Sequence, residues 1–187
     1  MNTYKVLKNQ EFRSANFKIT PIRFSDKFLI MKWRNEQIDI LRQEKPLTKK
    51  DQLIYFDNVI LNLFDQDYPT QLLFSFLDGE KCLGYGGLVN INWNDKNAEI
   101  SFIMDTKLEY LSFSFYWKIF LNLIEQLAFR EIKLHKIFTY AYDLRPNLYT
   151  LLEEKNYNKE AILKEHYFYK SEYKDVVIHS KFNDERN

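Results

Sequence analysis

The chain has 187 residues, with 27 Lys and Arg against 26 Asp and Glu, 13 Tyr, 16 Phe, and only four Gly and four Pro. That length supports one domain with a sizeable core, and near-neutrality argues against a nucleic-acid binder held mainly by phosphate contacts. A single cysteine, Cys82, excludes an intrachain disulfide and a cysteine-rich metal site, and suits a reducing compartment.

No basic–apolar–small signal pattern opens the sequence. The longest apolar stretch, Phe113–Phe129, is interrupted by Lys118, Asn122, Glu125 and Gln126, which a membrane span would not tolerate. The expectation is a soluble, cytoplasmic protein with no membrane or nucleic-acid partner, built as one domain over 1–187. Within it, 1–16 reads as a short extension or edge strand.

Phe17–Phe24 alternates as a strand does. Ser25 is placed to cap the next helix, with Asp26 in its first turn; that helix carries Phe28, Leu29, Met31 and Trp33, followed by Arg34. Ile38–Glu44 reads as a turn or loop. Thr48-Lys49-Lys50-Asp51 has the form of a capping box with Asp in place of Glu. It opens a helix with Leu53, Ile54, Phe56, Val59, Ile60 and Leu63 at helical spacing.

Beyond Pro69 come three strand-like runs in an antiparallel meander. Gln71–Leu77 ends at the hairpin signal Asp78-Gly79, Lys81–Ile91 follows, and Ala98–Asp105 is the third. Thr106–Ser114 reads as an irregular loop without glycine. Tyr116–Phe129 reads as a helix with one apolar stripe. A strand, loop and helix in that order form a common anion site, because loop N–H groups and the helix N-terminus converge. Leu134–Tyr142 is a strand and Pro146 suits the first position of a helix over Asn147–Lys155. Strands at Ala161–Tyr169 and Asp175–Phe182 flank a turn near Ser171–Lys174.

The resulting order is β-α-α-β-β-β-α-β-α-β-β. It is accompanied by the strings Leu83-Gly84-Tyr85-Gly86-Gly87-Leu88, Ala98-Glu99-Ile100-Ser101-Phe102-Ile103, and Leu127-Ala128-Phe129 leading to Leu134-His135-Lys136-Ile137. The most specific string runs from Leu151 to Ala161 and is similar to an "LYEKLGF-x-x-EG" pattern. Together, over Phe17 to Phe182, they resemble the GNAT superfamily of acetyl-CoA-dependent N-acetyltransferases, in particular its ribosomal-protein alanine acetyltransferase branch. The resemblance implies a mixed α/β fold: a mostly antiparallel central sheet with helices on both faces, its fourth and fifth strands splayed. It also implies acetyl-CoA as cosubstrate and a primary amine as acceptor.

Carried over residue by residue, the resemblance places the pantetheine arm of the cofactor on the backbone of Phe102, Ile103 and Met104. The family's pyrophosphate loop, Gln/Arg-x-x-Gly-x-Gly/Ala, falls on Thr106–Phe115, where its glycines are absent. Ser112, Phe113, Ser114 and Phe115 stand in their place, and Asn147 joins the implied cofactor contacts. The tyrosine that protonates the leaving thiolate in many members falls on Leu152, so Tyr149 or Tyr140 is the substitute acid. Glu99 is the candidate base, with Asp143 beside it as another carboxylate. Trp33, Arg34 and Tyr142 are the candidate acceptor contacts. His135, His166 and His179 lack companions at metal spacing, so no metal is expected. The favoured acceptor is a small molecule such as an amino sugar nucleotide, ahead of a protein or peptide N-terminus, and a homodimer is compatible with the sequence. The glycine-free loop and Leu152 also motivate an alternative, a non-catalytic GNAT-fold module that binds a ligand or partner.

Overall fold

The computed structural model describes residues 2–184. Eight strands form one sheet in the order β1-β2-β3-β4-β5-β6-β8-β7. They are β1 (Phe12–Ser14), β2 (Phe17–Pro21), β3 (Leu72–Asp78), β4 (Lys81–Asn92), β5 (Asn97–Met104), β6 (Lys136–Tyr142), β7 (Asn158–Tyr169) and β8 (Glu172–Phe182). Every neighbouring pair is antiparallel except β5 and β6. The hairpin expected at Asp78-Gly79 is present, with Gly79 at φ +56°, the left-handed conformation that glycine adopts without a Cβ penalty.

Helix α1 (Lys27–Glu36) and helix α2 (Lys49–Tyr55) lie on one face of the sheet; α2 continues through a π-helical stretch, Phe56–Ile60, into α3 (Leu61–Leu63). The capping box at α2 is complete: Thr48 Oγ1 accepts from the Asp51 N–H at 3.2 Å, and Asp51 Oδ2 accepts from the Thr48 N–H at 2.9 Å. Ser25 does not cap α1. A 3-10 turn, Phe24–Asp26, precedes the helix, and the Asp26 carboxylate turns inward instead. It accepts from Arg23 Nε at 2.8 Å and Ser75 Oγ at 2.7 Å. Burial pushes the Asp26 carboxyl up, but those hydrogen bonds outweigh it and hold the group below the usual carboxylate range.

On the other face lie helix α4 (Thr106–Glu125), prolonged by a π-helical turn Gln126–Glu131, and helix α5 (Pro146–Glu154). The α4 stripe packs as its spacing predicts. Phe120 stacks on Phe102 of β5 at 3.8 Å between ring centroids, and Trp117 meets the same ring edge-on at 5.0 Å. The amino-terminal segment belongs to the same core. Tyr4 and Leu7 are buried, and the Tyr4 hydroxyl donates to Leu73 O at 2.8 Å while accepting from Leu73 N–H. Only the edge-strand half of the expectation for 1–16 describes it, through β1.

The irregular loop expected over Thr106–Ser114 is not there. Asp105 caps a helix that begins at Thr106, its carboxylate accepting from the Lys107 N–H at 2.9 Å. The irregularity is confined to a kink at Ser112, with φ −146° and ψ 34°. Lacking glycine or proline, and starting with an Asp cap, residues 106–111 have no local reason to leave the helix.

Candidate active site

The site follows from how β5 and β6 part. Their parallel pairing covers only Asn97↔Lys136, Ala98↔Ile137 and Glu99↔Phe138, although β5 runs on to Met104 and β6 to Tyr142. Past Glu99 the two facing edges are unpaired, so a row of backbone donors and acceptors borders a cleft. The opening holds a cavity of about 100 Å³. Ser101, Phe102 and Ile103 wall it from β5, and Thr139, Tyr140 and Tyr142 from β6. Leu41 and Arg42 cover it on the α1–α2 face of the sheet; Trp117, Arg145 and Leu148 border it on the α4–α5 face.

Glu99 sits where the strands separate and is only 5 % exposed. Its carboxylate is paired with Arg42 and accepts from Asn90 Nδ2 at 2.9 Å. The Arg42 guanidinium also lies over the Tyr140 ring, 4.9 Å from its centroid. Tyr142 stacks on Tyr167 of β7 at 3.7 Å, with rings 2° from parallel. Glu99, Tyr140 and Tyr142 therefore share one cleft. Tyr149 is not part of that lining. Its hydroxyl donates to Tyr142 O at 3.3 Å and its ring stacks on His179, while burial raises its phenol above the ordinary range.

The proposed cofactor contacts divide. Phe102 and Ile103 line the cleft, but Met104 O already accepts from Gln37 Nε2 at 2.8 Å. Ser112 forms the kink, Phe113 packs on Trp117 at 5.8 Å, and Ser114 and Phe115 are exposed. None of these four residues lines the cleft, because the helical turn carries them past it. Asn147 is exposed in the first turn of α5, and the residue after it, Leu148, faces the cleft instead. Trp33 is buried in the core; Arg34 borders a second cavity described below. Leu152 is fully buried, so the position of the usual tyrosine is filled by core packing.

Sequence reasoning missed Arg145. It forms a mostly buried ion pair with Glu109 of α4, and its guanidinium lies 5.2 Å from the Phe113 centroid and 5.4 Å from that of Trp117. Burial pushes the Glu109 carboxyl up against the pull of Arg145. The nearest sequence signal was Glu109 itself, an acid in a segment where an anion is expected.

Acetyl-CoA can be tested against these residues in two halves. Thr139 Oγ1 lines the cleft and is buried without a hydrogen-bond partner among the described residues, whereas Trp117 Nε1 is turned toward the Glu109 carboxylate. With the unpaired strand edges, the Thr139 hydroxyl suits the amide-rich pantetheine arm. The pyrophosphate end does not fit in the same way. No residue between Asp105 and Trp117 has positive φ, and carboxylates stand at the cap and in the first turn of α4, Asp105 on the Lys107 N–H and Glu109 on Arg145, where a phosphate loop would place donors. Outside the cleft, Tyr110 and Leu111 stand 90 % and 76 % exposed.

The family profile described as "Acetyltransferase (GNAT) domain" matches residues 19–178. The chain belongs to that family; it is an N-acetyltransferase that takes its acyl group from acetyl-CoA. Among solved structures it is similar to spermidine N-acetyltransferase from Vibrio cholerae in complex with CoA and spermine. That likeness has 20% identity and a TM-score of 0.76, and covers 91% of this chain and 97% of that one. A dodecameric structure of the same Vibrio cholerae enzyme, in an intermediate state, gives 19% identity and a TM-score of 0.74, covering 91% and 95%. At such identity these structures establish the fold. No relative of the chain is found among curated proteins.

Proposed function

We propose that the chain works as a single GNAT-like domain that acetylates the primary amine of a small molecule, bound on the α1–α2 side of the β5–β6 cleft. The observation that carries this reading is the separation of the two strands past Glu99, with Glu99, Tyr140 and Tyr142 on its walls. Acetyl-CoA supplies the thioester. Within the cleft, Glu99 is the group to take the ammonium proton, directly or through water, once the acceptor displaces Arg42. Tyr140 or Tyr142 is the group to protonate the leaving sulfur, since Leu152 has no proton to give. The cavity of about 100 Å³ beside these residues favours an acceptor well below the size of an amino sugar nucleotide, because drug-sized ligands occupy roughly 300–1,000 Å³.

The narrower likeness to ribosomal-protein alanine acetyltransferases rests on sequence strings, and a peptide beginning with alanine belongs in the acceptor panel beside polyamines and amino acids. The helical turn over Thr106–Leu111, with Asp105 capping it and Glu109 within it, is the feature least suited to the cofactor's pyrophosphate. Assembly as a homodimer is part of the proposal; the outer edge of β7, with Phe168 exposed, is the surface for it, and light scattering decides it. Transfer is tested by mass-spectrometric detection of acetylated product across that panel. Tyr140→Phe or Tyr142→Phe should lower kcat by at least tenfold. Product formation unchanged in both variants would remove the acid assignment, and binding of acetyl-CoA without any product across the panel would remove the small-amine acceptor.

A further inference from the structure

On the α1–α2 face lies a second cavity, of about 180 Å³, that the acetyl-transfer chemistry does not use. Ile22, Ile30 and Phe56 give it apolar walls, and Arg34, Tyr55, Tyr85 and the amide of Gln52, whose Nε2 donates to Lys27 O, give it its polar groups. Arg34 comes from the last turn of α1. Its Nη1 donates to the Tyr85 hydroxyl at 2.6 Å and its Nε donates to Gln43 Oε1 at 2.9 Å. Among the described residues, Nη2 has no partner and the guanidinium has no carboxylate within ion-pair distance.

That arrangement is unbalanced. Arg34 is partly buried, and an arginine set among apolar walls is normally paired with an acid, because a cation there is costly without one. The Tyr85 hydroxyl accepts from Arg34 and donates to no group among the described residues, so its proton is also available. Tyr55 offers a hydroxyl held neutral by burial, its phenol pushed up to about 12. Its hydroxyl's one hydrogen-bond partner among the described residues, Gln71 Oε1, is distant at 3.5 Å. The polar side of the cavity therefore presents a fixed positive charge with surplus N–H and O–H donors. The complement is an acceptor-only anion, and a planar carboxylate matches a guanidinium fork best. The apolar walls call for an apolar body. An engineered cavity of about 150 Å³ admits benzene, so this volume has room for a small ring or short aliphatic chain behind the carboxylate.

We infer that the cavity beneath α1 and α2 is a binding site for a small organic carboxylate, gripped by Arg34 and Tyr85. The same charge disfavours a polyamine there. The site's place in the fold leaves two sources for the carboxylate. Tyr85 of β4 is opposite Ile103 of β5, a cleft-wall residue, and Gln43 follows Arg42 in the chain. The carboxylate is then either the acceptor's own, as in an amino acid, or that of a separate effector. Binding itself does not depend on the acetyl-transfer reading.

The test is thermal-shift and calorimetric titration of the full chain with benzoate and hexanoate, with hexylamine as the cationic control. Either carboxylate should bind saturably and raise the Tm, while hexylamine should do neither. Arg34→Gln should weaken carboxylate binding by at least tenfold. Should that variant fail to fold, Tyr85→Phe keeps the guanidinium and should weaken binding about threefold to tenfold. Equal binding of hexylamine, or carboxylate binding unchanged in Arg34→Gln and Tyr85→Phe, overturns the inference, as does the absence of carboxylate binding to the native chain. The sources are then separated with an ω-amino hexanoate. Acetylation of it, inhibited competitively by hexanoate, assigns the site to the acceptor; hexanoate binding without competition assigns it to an effector.

Discussion

Glu109→Gln tests whether the pair beside the cleft is the buried interaction its geometry describes. The substitution keeps the side chain's shape and removes its charge, leaving the Arg145 guanidinium against Trp117 and Phe113 with no carboxylate. Breaking one half of a buried ion pair costs about 3–5 kcal/mol. Both side chains keep some exposure, 18% for Glu109 and 17% for Arg145, so the low end applies, about 3 kcal/mol. For a chain of this size each kcal/mol moves Tm by about 2–4 °C, giving a loss of about 6–12 °C. Replacing both partners, Glu109→Gln with Arg145→Met, removes the stranded charge and should recover most of that loss. Urea unfolding of the four proteins in the cycle gives the coupling directly. A cost below about 1 kcal/mol for Glu109→Gln, the range of a surface pair, would refute the reasoning, as would additive single and double variants.

The glycines of β4 lead to a second expectation. A Cβ on Gly86 would come within 2.2 Å of Ser101 O and 2.8 Å of Phe102 Cα, both backbone of β5. No rotamer relieves such a contact, so Gly86→Ala should cost about 1–3 kcal/mol or more in urea unfolding. It should also weaken acetyl-CoA binding, because β5 is a cleft wall. The third concerns pH. His179 is fully buried, and burial pushes its imidazole pKa down against the weaker pull of Glu153 at 3.5 Å. The unfolded chain therefore takes up a proton that the folded chain refuses. Stability should be complete above about pH 6.5 and fall, by up to about 1.4 kcal/mol per pH unit, as pH drops toward the folded-state value. His179→Phe should flatten that slope between pH 7.5 and 5.5, as urea midpoints will report; an equal slope in both proteins would contradict it.

Much of the frame was legible because its signals are local. The Asp78-Gly79 turn, the Thr48–Asp51 box and the stripe of α4 each depend on residues within a few positions of one another. Tyr4 was not legible in this way; its ring packs on Phe64 and Phe74 and its hydroxyl bonds to Leu73, all far along the chain. The same limit explains the site. Glu99, Tyr140 and Tyr142 could be placed on their strands because the family strings fix those strands. Arg145 gains its place only when segments from distant parts of the chain meet at the cleft. Thr106–Leu111 was misread for a different reason. The apolar stripe was read as starting only at Tyr116, so the cap at Asp105 and the glycine-free run after it, which begin the helix, were passed over.

The β5–β6 cleft is the proposed seat of acetyl-CoA. Ser101→Trp would fill much of that cavity of about 100 Å³ from the β5 wall. Calorimetric titration with acetyl-CoA should give saturable binding to the native chain and a loss of at least tenfold in this variant, with Tm showing that the variant is folded. Equal affinity in the two proteins would contradict the assignment.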